Sequence, residues 1–221
     1  MSQDVKAYYD QLAPTYDANR FGNTYGQYIH TQEANFLRRH LVSSDTLNLG
    51  CGTGRFMELA SHGLDISESM IAEAQKKFPG KSFVVSDADD MPFENHTLRE
   101  IFCLHVFMHL STEKAAALIA ESGRVLVPGG HFIFDFPSEK RRRLLNKRQE
   151  GWHGASAYTI ESLQKMTHQH WNLTASSGIL FLPIHRMPKW SRKFFLGLDH
   201  LLCRSFFKEY ASYLIVKLEK K

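Results

Sequence analysis

The chain has 221 residues, 43% of them hydrophobic, enough for a single domain with a sizeable core. Its 27 lysines and arginines against 23 aspartates and glutamates leave a formal charge of +4, too slight a surplus to point to nucleic acid. No apolar stretch approaches a membrane span and the first residues hold no signal region; Cys51, Cys103 and Cys203 form neither a metal nor a disulfide pattern, so a cytoplasmic, reducing setting is the expectation.

Val5, Tyr8, Tyr9, Leu12 and Ala13 recur at helical spacing, Pro14 interrupts them, and Tyr28, Ile29, Ala34, Phe36 and Leu37 resume the pattern. Residues 4–40 therefore read as two helices joined by a loop at 17–23. Residues 44–50 form an apolar strand broken by Asn48, and Gly50, Gly52 and Gly54 follow at alternate positions. Phe56, Met57, Leu59 and Ala60 then predict a helix over 53–61. Strand, glycine turn and helix start together bring unpaired N–H groups to a ligand at the carboxyl end of a sheet. A short connection leads to a stubby second strand ending in Asp65. Ser67 caps the next helix, whose inner face is Met70, Ile71, Ala74 and Phe78 and which Pro79-Gly80 ends.

Residues 81–86 form a third strand, followed by the turn-rich Asp87-Ala88-Asp89-Asp90-Met91-Pro92-Phe93. A fourth strand spans 99–106, a helix 112–124, and Pro128-Gly129-Gly130 turns the chain into a fifth strand at 131–136. Lys140-Arg141-Arg142-Arg143 reads as a solvated helix face, and Trp152-His153-Gly154 as a loop. Thr159 caps a further helix, a sixth strand covers 171–182, a Lys/Arg/Phe-rich helix lies within 183–207, and a last strand covers 210–218.

This series, with Gly50-Cys51-Gly52-Thr53-Gly54, Gly63-Leu64-Asp65-Ile66-Ser67, Asp87 to Phe93 and Leu126-Val127-Pro128-Gly129-Gly130, resembles the class I S-adenosylmethionine (SAM)-dependent methyltransferases of the small-molecule group. The resemblance implies an α/β, Rossmann-like, seven-stranded and mostly parallel sheet with helices on both faces. The last strand would insert antiparallel between the fifth and sixth. It implies one domain over residues 1–221, divided into a helical cover (1–40), a SAM-binding core (41–137) and acceptor-side elements (138–221).

By the same resemblance, Tyr16 lies over the methionine moiety and Arg20 meets its carboxylate, for which a guanidinium is suited. Gly50, Cys51, Gly52 and Gly54 form the turn against the cofactor, Asp65 accepts from both ribose hydroxyls, and Ile66 and Met70 also belong to the cofactor site. Asp87 takes the adenine amino group and Ala88 N–H a ring nitrogen, with Asp89 and Met91 nearby; Leu104 stands beside the methyl group. Relatives usually carry a Phe-Asp pair at the start of the fourth strand. Here Leu98-Arg99 replaces it, which removes a charge from the amino end of that strand.

Methyl transfer from a sulfonium is an in-line displacement by an activated donor, so positioning supplies most of the catalysis. No metal cluster is visible. Where the acceptor is a hydroxyl, a base is useful, and His105 and His109 are the candidates, with His153 and Asp135 behind them. Each of the twelve histidines also has a structural reading. The motifs of base-modifying amino and cytosine-C5 enzymes are missing, so the expected partner is a small molecule, not a nucleic acid. In the 183–207 helix, Trp190, Phe194, Phe195, Leu198, Leu201 and Leu202 either pack in the core or line a pocket for a hydrophobic acceptor. Two other functions stay open: a non-catalytic SAM-binding protein, and an NAD(P)-dependent oxidoreductase, which the glycine spacing disfavours.

Overall fold

The computed structural model describes residues 3–146 and 156–221. The glycine turn follows β1 (Thr46–Leu49), whose four residues are all buried. The sheet around it is completed by β2 (His62–Asp65), β3 (Ser82–Val85), β4 (Leu98–Cys103), β5 (Leu126–Pro137), β6 (Trp171–Ile179) and β7 (Tyr213–Lys220). Their order is β3-β2-β1-β4-β5-β7-β6. Strands β1 to β5 pair in parallel, whereas β7 is antiparallel to both β5 and β6. This is the expected Rossmann-like sheet. The connections run outward in opposite directions from the neighbours β1 and β4, which makes their carboxyl ends the topological switch point where ligands bind.

Helices cover both faces, as a parallel sheet requires. On one side α5 (Thr112–Val125) and α7 (Ile160–Thr167), between which the chain forms the short α6 (Glu139–Leu144), pack Ala115, Leu118 and Leu163 against Phe132, Phe134 and Phe136 of β5. On the other, α3 (Thr24–His40) packs Ile29, Phe36 and Leu37 with Phe102 of β4 and Ile133 of β5, beside Ile71 of α4 (Glu68–Lys77). The period of two along β5 thus sends three phenylalanines to one face and Ile133 to the other, and Asp135 follows Ile133 toward α3. Ser67, Ser111 and Thr159 cap α4, α5 and α7 through their side chains.

Several expectations are corrected. No α-helix follows the glycine turn; one 3-10 turn, Met57–Leu59, stands where 53–61 was expected to be helical. Phe56 adopts a left-handed conformation (φ 65°), and Ser61 N–H already bonds Thr46 O, so the chain is returned to the sheet before a helix can propagate. The expected loop at 17–23 is instead mostly helix, α2 (Tyr16–Phe21), which a 3-10 turn joins to α1 (Gln3–Leu12). Pro128 to Gly130 lie inside β5 as a bulge against β4. Finally, the amino end of β4 keeps its carboxylate. Buried Glu100 accepts from Val42 N–H at 3.0 Å and Ser43 N–H at 2.8 Å, pinning the entry to β1 in place of the absent aspartate.

Candidate active site

Gly50 shows why the turn needs glycine. Its φ is 72°, and a Cβ there would stand 2.4 Å from Val106 Cγ2, where the chain leaves β4. Gly52 also has positive φ (53°), but open space lies beyond it. Gly54 turns the other way, toward the Phe78 ring at 3.1 Å, and spaces α4 from the turn. The glycines thus divide the work: one lets β4 approach, one opens to a ligand, one packs a helix.

The cleft at the switch point has three lobes, and Tyr16 and His105 border all of them. An inner lobe is lined by Gly50, Gly52, Leu64, Asp65, Ile66, Met70, Ser86, Ala88 and Leu104. A second lobe, under the glycine turn, is lined by Cys51, Thr53, Arg55 and Phe56. An outer lobe of about 240 Å³ is walled by Tyr8, Leu12, Asn19, Arg20 and Met108, and Tyr9 and His109 stand between it and the inner lobe, lining both. Asp87, Asp89 and Met91 line none of them. Asp89 pairs with Lys114, Asp87 forms the turn closed by Asp90 N–H, and Met91 is buried in the core. Arg20 borders the outer lobe, so the cation at the glycine turn is Arg55. His153 lies outside the described residues.

Asp65 is poised at the end of β2. Its Oδ2 accepts Gly52 N–H at 2.8 Å and its Oδ1 accepts Ser67 N–H at 2.9 Å. Burial pushes its carboxyl up, and the backbone N–H groups of Ser67, Gly52 and Ile66 partly offset that.

The N-terminal helices roof the cleft through specific polar clamps. Asp10 Oδ1 accepts the Ser67 hydroxyl at 2.6 Å and Ser69 N–H at 3.3 Å, placing a carboxylate at the N-terminus of α4. Asp17 accepts the Thr53 hydroxyl at 2.6 Å and also pairs with Lys77. Tyr9 and His109 share a hydrogen bond of 3.0 Å (Oη to Nε2). Between these clamps Tyr16 is held over the cleft, its phenol pushed up by burial.

Below Tyr16 lies a buried charge network. His105 adopts φ 61°, and its N–H donates to Asp135 Oδ1 at 2.6 Å. Its ring Nε2 stands 2.8 Å from Glu33 Oε1 and Nδ1 3.6 Å from Asp135 Oδ2, close for ion pairs though poorly aligned for hydrogen bonds. Arg55 pairs with Glu33, and its guanidinium lies 4.3 Å from the ring centres of both Phe21 and Phe56. Burial pushes the Glu33 carboxyl up, but His105 and Arg55 outweigh it and bring the group down to about 2. Burial disfavours the His105 imidazolium, yet Glu33 and Asp135 raise the ring above its ordinary value. Burial raises the Asp135 carboxyl. Donor atoms of Glu33, His105 and Asp135 lie within 4.8 Å of one another. The two ring nitrogens address different carboxylates, however, and Arg55 already neutralises Glu33, which is the arrangement of an ion-pair relay and not of a cation site.

Glu33 and Arg55 were not picked out from the sequence. The available signal was a charge at position 33 on the stripe of Ile29, Phe36 and Leu37, where α3 should be apolar.

The 183–207 segment is a further correction. Its helix α8 (Lys189–Arg204) buries Ser191, Asp199 and Cys203 and leaves Trp190, Phe194, Leu198 and Leu201 in solvent. None of these apolar side chains lines the cleft, so the pocket for a hydrophobic acceptor loses its basis.

This sheet order with a glycine turn and an acidic β2 end defines the class I SAM-dependent methyltransferase fold. Residues 47–134, from β1 into β5, match the family described as "Methyltransferase domain". It is similar to an uncharacterized protein of Methanocaldococcus jannaschii, 33% identical over 134 residues that cover 59% of this chain and 50% of that protein. It is also similar to the tRNA (carboxymethyluridine(34)-5-O)-methyltransferase of Arabidopsis thaliana, 31% identical over 58% of this chain and 31% of that protein. The chain thus spans half or less of the length of both relatives. Among solved structures, a SAM-dependent methyltransferase of Thermotoga maritima, described as a possible histamine N-methyltransferase, superposes with a TM-score of 0.74. That likeness covers 98% of this chain and 99% of the other at 15% identity, and speaks for the fold. SAM fits the donor set: a carboxylate at the end of β2, a backbone turn with an open Gly52, and apolar walls from Ile66, Met70 and Leu104.

Proposed function

We propose that the chain transfers a methyl group from SAM to a small-molecule acceptor admitted through the outer lobe. The observation that carries this reading is the junction at Tyr16 and His105, where the three lobes meet. Adenosine fills the inner lobe with its ribose on Asp65. The methionine end runs under the glycine turn toward Arg55. The sulfonium methyl then faces the outer lobe, whose volume of about 240 Å³ suits a small ring or a short polar chain.

The roles of the two histidines follow from their partners. His105 is engaged by two carboxylates, Glu33 and Asp135, and fixes the floor beneath the methyl group. His109 faces the outer lobe and shares its Nε2 with the Tyr9 hydroxyl, and this pair is the proton acceptor for a hydroxyl or ammonium acceptor. The rest is alignment of the acceptor atom with the C–S bond, for which no other group is required.

The test is methyl transfer from isotopically labelled SAM, assayed separately with pooled small metabolites and with bulk tRNA. Label in the metabolite pool supports the reading. Label in tRNA alone would assign the outer lobe to a nucleotide flipped from a larger substrate, and binding of SAM without transfer would favour the non-catalytic alternative.

A further inference from the structure

Helix α8 is built inside out. Its inner face is polar: Asp199 Oδ2 accepts the Tyr28 hydroxyl at 2.6 Å and Gln32 Nε2–H at 2.9 Å, and Oδ1 accepts Leu182 N–H at 2.6 Å. These bonds lock the helix to α3 and to the chain leaving β6. Its outer face is apolar. Trp190 is 86% exposed, Phe194 78%, Leu198 41% and Leu201 67%, at spacings of four, four and three residues that form one stripe. Phe206, 82% exposed, follows just beyond the helix end. A buried carboxylate anchor fixes which face looks outward, so this exposure is a built feature of the docked helix.

Charge identifies the occupant. Lys189, Lys193, His200 and Arg204 share the exposed side of α8, and the helix's one acidic residue, Asp199, is buried. His200 and Arg204 also border a groove of about 610 Å³ against α3, which Arg39 and His40 line from the other side. Aromatic and leucine side chains flanked by cations, with a tryptophan at the start of the helix, match the chemistry of a negatively charged bilayer surface. A second copy of the chain on the same face would set these cations against each other.

We infer that the outer face of α8 docks on anionic phospholipid bilayers, with Trp190, Phe194, Leu198 and Leu201 entering the interface and Lys189, Lys193 and Arg204 meeting lipid phosphates. The association is peripheral, since no helix among the described residues is long and apolar enough to cross a membrane. The segment leaves the sheet at Ile179 and re-enters at Tyr213, which pairs with Pro137 at the carboxyl end of β5. Docking therefore brings the cleft end of the sheet toward the lipid, whatever the acceptor.

The experiment is co-sedimentation of the full chain with vesicles of phosphatidylcholine alone and of phosphatidylcholine mixed with phosphatidylglycerol. The chain pellets with the mixed vesicles and little with the neutral ones, and added salt releases it. Trp190→Ser/Phe194→Ser lowers the partition at least about tenfold, and Lys189→Gln/Lys193→Gln about 25-fold, from roughly fivefold per basic residue. Circular dichroism and melting temperature confirm that the variants fold, because every altered side chain faces solvent. No pelleting with anionic vesicles, or pelleting unchanged in both folded variants, overturns the inference. So does a concentration-dependent dimer that Trp190→Ser/Phe194→Ser dissociates, which would give the face to a second copy.

Discussion

Glu33 and His105 come from elements far apart in the chain, yet Glu33 Oε1 stands 2.8 Å from His105 Nε2 beneath the cleft. The Glu33 side chain is fully buried, and Arg55 completes the pair on its other oxygen. Removing one partner of such a network strands the other charges away from water. Glu33→Gln is expected to cost about 3–5 kcal/mol of unfolding free energy. Urea denaturation at pH 6 measures it; a loss within error of zero would mean that water reaches Arg55 and His105.

The same network dictates opposite pH responses. Glu33 is depressed in the fold, so its stabilisation is full above the ordinary carboxyl value and is lost as pH falls through about 2. His105 is raised, so its stabilisation is full below its ordinary value near 6.5 and is lost as pH rises through the folded value. Asp135 is raised as well and works against the fold once the pH passes its ordinary value, which moderates the gain on the acid side. The free-energy difference between wild type and His105→Gln should therefore shrink as pH rises from 6 to 9. A difference that grows with pH would contradict the upward shift that Glu33 and Asp135 impose on His105.

The cover is tied down at Asp10 and Asp17. Asp10→Ala removes the acceptor for Ser67 and Ser69, and Asp17→Ala the acceptor for Thr53. Limited proteolysis should cut within residues 8–23 faster in either variant than in wild type, and SAM should slow the cutting in all three. Cleavage indifferent to both SAM and the substitutions would show that the cover is an ordinary packing element.

For the outer lobe, Tyr9→Phe and His109→Ala are expected to lower the rate of transfer by about 100-fold, the usual range for a general base, with SAM affinity little changed. Parallel measurement of SAM binding and single-turnover transfer separates the two. Equal losses in both would place the pair in cofactor binding.

Much of the fold was legible because it repeats a short vocabulary. Alternating apolar residues at 131–136, glycine after β1, an aspartate closing β2 and serine or threonine caps before α4, α5 and α7 are local signals with local causes. The elements that failed to follow local signals did so for tertiary reasons. Residues 53–61 have the composition of a helix, but the short span from Leu49 to His62 must return to the sheet and leaves room only for a 3-10 turn. Residues 17–23 look like a loop, yet Asp17 is held by Thr53 and Lys77 and the turn completes as helix. Glu100 binds Val42 and Ser43 N–H, more than fifty residues earlier in the chain, so no local signal gives its role. In the site, the residues on the glycine turn and β2 were readable from spacing. Glu33 and Arg55 were not, since their pairing joins α3 to a turn in a way that no single stretch encodes. The 183–207 helix was read by amphipathicity alone, which gives a stripe but not which side faces in; buried Asp199 decides that.

The central claim is that the cleft at the ends of β1, β2 and β4 binds SAM, and isothermal titration of SAM into the wild type, Gly52→Val and Asp65→Ala tests it most directly. Gly52 has φ 53° and opens to the cleft, so valine both strains the backbone and fills the ligand's place. Asp65→Ala removes a charged acceptor worth roughly 1.5–3 kcal/mol, about 10- to 150-fold in affinity. The account predicts one-to-one binding by the wild type, that loss in Asp65→Ala, and no measurable binding by folded Gly52→Val. Unchanged SAM affinity in both folded variants, or heat with a nicotinamide dinucleotide and none with SAM, would contradict it.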